Sequence, residues 1–124
     1  MPKIMLVEDD RTMLSLLKIL LEMESFEVCS PTDDRPEEIL MAIRQQHPDL
    51  ILLDVNLRLG SGIELARQMR SDPELKDMRL IMTSGLDLKH ECLQVGADNF
   101  LLKPYMPDDL IKMIKNTIGS KQRG

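Results

Sequence analysis

Hydrophobic positions along this chain fall into two alternating patterns. Short uninterrupted apolar runs, such as the one within residues 48–54, are typical of strands buried on both faces of a sheet. Between these runs, apolar residues recur every three or four positions, as at Met13, Leu17 and Leu20, which is typical of amphipathic helices. The patterns predict strands at 3–7, 26–29, 48–54, 79–82 and 99–102, and helices at 11–23, 36–46, 63–70, 87–95 and 107–118.

The strict alternation of strand and helix indicates an α/β fold. Its sheet should be parallel, with helices on both faces and right-handed crossovers between the strands. All strands then point the same way, and their carboxyl ends form one rim, which is where open α/β sheets bind ligands. The polar residues expected at this rim are Glu8, Asp9, Asp54, Thr83 and Lys103.

Asp54 is the first candidate for a reactive or ligand-binding residue because it ends the most apolar of the predicted strands. A carboxylate at the mouth of a buried strand must be paired, hydrated or bound to a metal. The plain structural interpretation is an acid that caps the following loop, and Asp54 alone would favour it. The four other polar groups at the same rim favour a chemical role instead.

Size and composition narrow the function classes. The chain has 124 residues, and we expect one domain over residues 1–119, followed at 120–124 by a polar tail or the start of a linker. A formal net charge of −5 argues against nucleic-acid binding through a basic face. No run has the length of a membrane span, and no signal-peptide pattern opens the chain. Cys29 and Cys92 are expected to be reduced thiols of a cytoplasmic protein.

The residue types at the rim suit the acceptance of a phosphoryl group. Carboxylates after two different strands can share a divalent cation, and oxygen ligands with a few waters suit Mg²⁺. Such a cation also removes the repulsion between clustered acids. Lys103 offers a positive charge on a flexible stem, and Thr83 offers a hydroxyl. With a nucleophilic carboxylate, these are the parts that phosphoryl transfer to Asp54 requires.

Four motifs stand along the chain in a characteristic order and spacing: Leu6-Val7-Glu8-Asp9-Asp10, the strand ending at Asp54 with Gly62 after its loop, Met82-Thr83-Ser84, and Gly96-Ala97-Asp98 followed by Lys103-Pro104. On these motifs, the chain from Lys3 to Ile118 resembles the receiver domain of two-component response regulators. The resemblance implies a flavodoxin-like, doubly wound sheet with the strand order 2-1-3-4-5 of the chemotaxis regulator. In that order Glu8 and Asp9 lie beside Asp54.

The resemblance implies a phosphoacceptor and a metal site. Asp54 would be the phosphoacceptor. Asp9 and Asp54 would bind Mg²⁺ through their side chains, and the backbone carbonyl of Asn56 would be a third ligand. Glu8 stands where Asp is commoner in the family, and its extra methylene favours a role through water.

The resemblance also implies residues that respond to phosphorylation. Lys103 would bridge first to a carboxylate and later to a phosphoryl oxygen, and Thr83 would move towards the phosphoryl group. Phe100 takes the position of a switching aromatic residue that is often Tyr, so its movement would be a packing change. Arg58 departs from the family because Pro is common at this position of the loop after Asp54.

The function implied by the resemblance is a phosphorylation-controlled switch. Its partners would be a sensor histidine kinase or a phosphotransfer protein upstream, and a downstream protein or an effector domain. The domain would promote only its own phosphorylation and dephosphorylation, without being an enzyme for an outside substrate. Direct contact with nucleic acid or a membrane is not expected.

Three alternatives belong to other function classes. A phosphorylation-independent interaction module of the same fold need not bind Mg²⁺, so a Mg²⁺ titration separates it from a phosphoacceptor. A Mg²⁺-dependent phosphohydrolase with Asp54 as nucleophile would need a second acid two residues later, where this chain has Asn56. A flavin binder is disfavoured because aromatic residues for stacking are scarce.

Overall fold

The computed structural model describes residues 1–119 and contains a five-stranded parallel sheet with helices on both faces. In chain order the elements are β1 (Lys3–Val7), α1 (Arg11–Met23), β2 (Glu27–Cys29), α2 (Pro36–Gln46), β3 (Leu50–Asp54), β4 (Asn56–Leu57), β5 (Gly60–Ser61), α3 (Gly62–Ser71), β6 (Arg79–Ser84), α4 (Lys89–Gln94), β7 (Asn99–Leu102) and α5 (Pro107–Gly119). The predicted tail at 120–124 lies outside the described residues.

The strands of the main sheet lie in the order β2-β1-β3-β6-β7, and every neighbouring pair is parallel. Because β4 and β5 form a separate antiparallel pair, this is the order 2-1-3-4-5 of the five predicted strands. The predicted fold class and strand order are therefore confirmed. The chain reverses its direction of winding between β1 and β3, and open α/β sheets form their ligand crevice at such a point.

The uninterrupted apolar run of β3 follows from burial on both faces of the sheet. Alternate residues of a strand point to opposite faces, so Ile51 and Leu53 pack into one apolar layer, while Leu50 and Leu52 pack into the other. Helices α2, α3 and α4 cover the first layer, and α1 and α5 cover the second. Full burial of one such side chain stabilises the fold by roughly 1.5–3 kcal/mol.

Local capping accounts for one of the three consecutive acids after β1. The Asp10 carboxylate accepts hydrogen bonds from the backbone N–H groups of Thr12 at 2.9 Å and Met13 at 3.1 Å, so Asp10 is the N-cap of α1. Glu8 and Asp9 therefore remain the candidates for a site at the carboxyl edge of the sheet.

Element boundaries differ from the predictions where long-range hydrogen bonds decide them. β6 continues to Ser84, two residues beyond the prediction, because the N–H groups of Val55 and Lys103 donate to the carbonyls of Thr83 and Ser84 at 2.9 and 2.8 Å. The loop predicted at 55–62 contains the β4–β5 hairpin. Helix α4 covers 89–94, shorter than predicted.

A left-handed residue follows α4, since Gly96 has φ of +106°. A similar left-handed residue, His47 with φ of +49°, ends α2 before Pro48. In the part of the chain that the structure describes, no helix combines the length and apolar character needed to cross a membrane.

Candidate functional site

The register of the sheet brings the predicted site residues to one edge. Val7 pairs with Leu53, and Asp54 pairs with Thr83, so β1, β3 and β6 end at nearly the same level. Glu8 and Asp9 follow β1 directly, and Lys103 follows β7, whose last residue pairs with Ser84. All five rim residues therefore lie at the carboxyl edge of the parallel sheet.

Lys103 connects two carboxylates, one at the end of β3 and one directly after β1. Its Nζ donates hydrogen bonds to Asp54 Oδ2 at 2.8 Å and to Glu8 Oε1 at 2.9 Å. Both acid side chains are nearly buried, with 9% of Asp54 and 8% of Glu8 exposed. Burial disfavours the ammonium form of Lys103, but the hydrogen bonds to Asp54 and Glu8 outweigh it and raise the pKa of Lys103. The ammonium group is thus the counter-ion of both acids.

Asp54 is held in one orientation by contacts to both carboxylate oxygens. Oδ2 faces Lys103, and Oδ1 accepts a hydrogen bond from the backbone N–H of Asn56 at 3.0 Å. After the β4–β5 hairpin, α3 begins beside the end of β3. A Cβ at Gly62 would lie 2.3 Å from the carbonyl oxygen of Asp54, so only glycine lets α3 begin this close to the strand end.

The two acids after β1 have different surroundings. Burial raises the pKa of Glu8, and the hydrogen bond from Lys103 opposes that rise. Asp9 is partly exposed, and burial also raises its pKa. A hydrogen bond from the Arg58 backbone lowers this pKa, and the negative charges of Asp34 and Asp54 raise it. Ionised Asp9 would therefore be stabilised by a cation.

The oxygen donors near Asp54 fit a Mg²⁺ ion with several waters. Within residues 1–119, no three acidic, histidine or cysteine side chains form a metal-binding group. Asp9 and Asp54 provide two carboxylates, and Asn56, which is exposed, follows two residues later with a backbone carbonyl. Mg²⁺ characteristically uses one or two carboxylates and keeps waters, so this open donor set suits it better than a cation that needs a complete protein cage.

A polar cleft of about 560 Å³ opens beside Asp9. It lies between the start of α1, the loop from β2 to α2 and the β4–β5 hairpin, and its charged lining residues are Glu8, Asp9, Arg11, Asp33, Asp34 and Arg58. Arg58 Nε lies 3.1 Å from Asp34 Oδ2 across this cleft. The sequence did not predict this ion pair, because the two residues are far apart in the chain and no motif contains both.

The structure also shows the surroundings of Thr83, Phe100 and Tyr105. Thr83 is 2% exposed and stands beside Asp54 in the neighbouring strand. Phe100 is 9% exposed and packs in the apolar layer that α2, α3 and α4 cover, so in this structure it is a core residue. Tyr105 was not singled out from the sequence, although it follows the Lys103-Pro104 pair, and burial raises the pKa of its hydroxyl.

Comparison with known families agrees with this geometry. The model of the response regulator receiver domain matches residues 4–115, from β1 into α5, and the chain belongs to this family. Members of the family are signalling switches of two-component systems. The family predicted from the motifs is therefore confirmed.

A curated relative supports the membership of this chain in the receiver family. The phosphate regulon transcriptional regulatory protein PhoB of Rhizobium meliloti is 36% identical over 118 residues, which cover 93% of this chain and 51% of that protein. The chain thus spans about half the length of the curated relatives it matches.

Solved structures also match nearly the whole chain. A crystal structure from Chloroflexus aurantiacus, described as a response regulator, has a TM-score of 0.88 at 27% identity and covers 97% of this chain and 100% of its own. The receiver domain of a Pseudomonas aeruginosa sensor histidine kinase shares the fold, with a TM-score of 0.83, 24% identity and coverage of 96% and 98%. The latter was solved with a magnesium ion coordinated in its active-site cleft.

Proposed function

We propose that this domain is a phosphoacceptor switch in which Asp54 takes a phosphoryl group from a sensor histidine kinase or a phosphotransfer protein. The observation that carries the proposal is the contact of Lys103 Nζ with Asp54 Oδ2 at a nearly buried strand end. A positive charge next to the acceptor carboxylate can stabilise the negative phosphoryl oxygens during the transfer. Membership of the receiver family supports this use of the site.

The chain's own groups suit each part of the transfer. An oxygen of Asp54 attacks phosphorus in line, the P–N bond of the donor phosphohistidine breaks, and its electron pair stays on the imidazole. The product is an acyl phosphate, which water later hydrolyses. Lys103 shifts a hydrogen bond from the carboxylate to a phosphoryl oxygen, and the Asn56 N–H keeps the acceptor carboxylate oriented.

Four residues of the site would hold the metal. Asp9, Asp54 and the backbone carbonyl of Asn56 bind Mg²⁺ directly, and Glu8 acts through water. When bound, Mg²⁺ supplies positive charge that neutralises the phosphoryl oxygens. The magnesium ion in the Pseudomonas aeruginosa receiver domain supports the choice of metal. In the absence of metal, Lys103 offsets part of the negative charge of Glu8 and Asp54, so the acidic edge can fold before the ion arrives.

Phosphorylation would act on the neighbouring strands. Thr83 stands beside Asp54, and its hydroxyl and the Lys103 ammonium group follow the new phosphoryl oxygens. Their movement repacks the loop from β6 to α4 and the space around Phe100. The surface of α4, β7 and α5 then changes for a downstream protein or an effector domain. Exposed apolar side chains suit a protein partner, namely Leu93 in α4, Leu102 in β7 and Leu86 in the loop before α4.

The setting of this switch is the cytoplasm. The free thiols of Cys29 and Cys92 suit a reducing compartment, and the kinases that serve receiver domains present their phosphohistidine there. The curated relatives support an effector domain as the output, because they are about twice as long as this chain and are named transcriptional regulators.

Labelling with acetyl phosphate and Mg²⁺ tests the proposal. Wild type and Asp10→Asn, in which the α1 cap is kept, should both be labelled, whereas Asp54→Asn should not. Asp9→Ala should require more Mg²⁺ for half-maximal labelling. Label retained in Asp54→Asn would refute the assignment. A wild type that neither binds Mg²⁺ nor takes label would be a phosphorylation-independent interaction module.

A further inference from the structure

Arg58 occupies the tip of the β4–β5 hairpin, immediately beyond the proposed acceptor. Its guanidinium reaches away from the sheet to Asp34, in the loop between β2 and α2, with 3.1 Å between Nε and Oδ2. The hairpin itself is attached at its base, where Asn56 donates to Asp54 and Gly62 donates to the carbonyl of Val55 at 2.7 Å. The ion pair is therefore an additional contact at the free end of a segment that is already fixed.

The charges around the cleft make its entrance unfavourable for an anion. Asp9, Asp33 and Asp34 line the side that faces solvent, and Glu8 lies deeper. The Asp33 carboxylate is engaged by Arg35, with 3.0 Å between Nη2 and Oδ2. Arg58 is one of two cations on the cleft lining, the other being Arg11 at the start of α1.

The ion pair between Arg58 and Asp34 is weak enough for another anion to replace Asp34. The Arg58 side chain is 72% exposed and that of Asp34 is 43% exposed, and ion pairs this exposed are weak and screened by salt. A guanidinium group presents a planar fork of donors that matches phosphoryl oxygens as well as it matches a carboxylate. Arg58 can thus leave Asp34 for a more highly charged anion at little cost to the fold.

We infer that Arg58 is a donor-binding residue whose guanidinium exchanges the Asp34 carboxylate for the phosphoryl group of a small acyl phosphate. This inference rests on the proposed role of Asp54. In the reaction, an Asp54 oxygen bonds to phosphorus while the bond from phosphorus to the acyl oxygen breaks. The carboxylate leaves with the electron pair. Arg58 gains and loses no proton, so its contribution is to donor binding.

Two variants separate donor binding from a purely structural role. Arg58→Ala and Asp34→Asn both abolish the ion pair, so a role confined to holding the hairpin would change the kinetics in the same direction in both. In a donor-binding role, Asp34 competes with the donor for the guanidinium. Removal of the Asp34 charge then strengthens donor binding, whereas removal of Arg58 weakens it.

The experiment measures initial rates of Asp54 labelling across acetyl phosphate concentrations. Each variant is assayed at its own saturating Mg²⁺ concentration, found by titration, because Asp34 is also close to Asp9. Arg58→Ala should raise the KM for acetyl phosphate by about threefold to tenfold with the maximal rate unchanged, as expected for loss of one exposed charge-assisted contact. Asp34→Asn should lower the KM by about twofold to threefold. Arg58→Lys should be intermediate, and the double variant should match Arg58→Ala.

A second readout does not depend on the reaction. In Asp54→Asn, which has no acceptor carboxylate, acetyl phosphate should shift the NMR resonance of the Arg58 Nε–H group in Mg²⁺-containing buffer. Equal KM values in all variants, a change of the same sign in Arg58→Ala and Asp34→Asn, or an unmoved Arg58 resonance would overturn the inference while Asp54 is still labelled. Failure to label the wild type at all would overturn the proposed function and the inference with it.

Discussion

Lys103 Nζ lies 2.8 Å from Asp54 Oδ2, although 49 positions separate the two residues in the chain. They meet because β6 lies between β3 and β7, pairing Thr83 with Asp54 on one side and Ser84 with Leu102 on the other. The same ammonium group also contacts Glu8. A residue that the proposed chemistry requires is therefore also a structural counter-ion in the metal-free domain.

Replacement of Lys103 by Met tests this structural contribution. The variant keeps an unbranched apolar side chain but leaves Glu8 and Asp54 without their cation. We expect the free energy of unfolding at neutral pH to fall by about 1–3 kcal/mol in urea denaturation, because nearly buried carboxylates lose their partner. Since the pKa of Lys103 is raised in the folded state, the lysine contributes fully below its unfolded pKa of about 10.4. Its contribution is lost only as pH rises through the higher folded value.

Two controls accompany this variant. Lys103→Arg keeps the charge and should lose less stability, and Glu8→Gln combined with Lys103→Met should recover part of the loss by removing one of the unpaired acids. A Lys103→Met protein with the urea midpoint and slope of the wild type would show that the ion pair is dispensable for folding.

Gly62→Ala should destabilise the domain because its Cβ has no room. The added atom would lie 2.3 Å from the Asp54 carbonyl oxygen and 2.9 Å from Val55 Cα, both of which are backbone atoms. We expect a loss of about 1–3 kcal/mol or more in thermal or urea unfolding. The matched control is Gly85→Ala, where a Cβ meets nothing within 4 Å and the change should stay within about 0.5 kcal/mol. Equal stability of the two variants would contradict the steric account.

Most of the fold could be predicted because it depends on local pattern. The apolar run of β3 is explained by burial on both faces, and the helical periodicity of residues 11–23 gives the bounds of α1. The placement of Asp54 at a shared edge follows from parallel topology, since all carboxyl ends meet there. The strand order came from the family resemblance, because apolar patterns alone do not determine which strands are neighbours.

What could not be predicted depends on contacts between distant segments. The last two residues of β6 are part of the strand because the N–H groups of Val55 and Lys103 donate to their carbonyls. Those donors lie in the loops that follow β3 and β7. No strand was predicted in the loop after β3, yet its residues pair as β4 and β5. The Arg58–Asp34 ion pair joins two loops with no sequence motif in common.

The lifetime of the proposed acyl phosphate should depend on Gly85, two residues after Thr83. Gly85 is exposed and has no side chain to shield the phosphoryl group from water. Gly85→Arg should slow phosphoryl loss severalfold, because a long side chain over the site excludes the attacking water. The decay is followed after removal of the donor, with Gly85→Ala as the size control. The same decay rate in Gly85→Arg and wild type would disprove the shielding argument.

The two cysteines should differ in reactivity towards a thiol reagent. Burial raises the pKa of Cys92 to about 11, and the Cys92 side chain is completely buried, whereas Cys29 is only partly buried. Because the thiolate is the reactive form, Cys29 should be alkylated first and Cys92 only when the domain opens. In Cys29→Ser the fast phase should disappear. A fast phase that persists in that variant would show that Cys92 is accessible in the folded state.

The central claim is that Asp54 is the covalent phosphoacceptor. Its most direct test is peptide mass spectrometry after treatment with acetyl phosphate and Mg²⁺ and reduction of acyl phosphates with borohydride, which converts a phosphorylated aspartate to homoserine. The account predicts homoserine at position 54, dependent on Mg²⁺, and aspartate retained at positions 9 and 10. Homoserine at another position, or none at position 54 in a folded, Mg²⁺-bound domain, would contradict it.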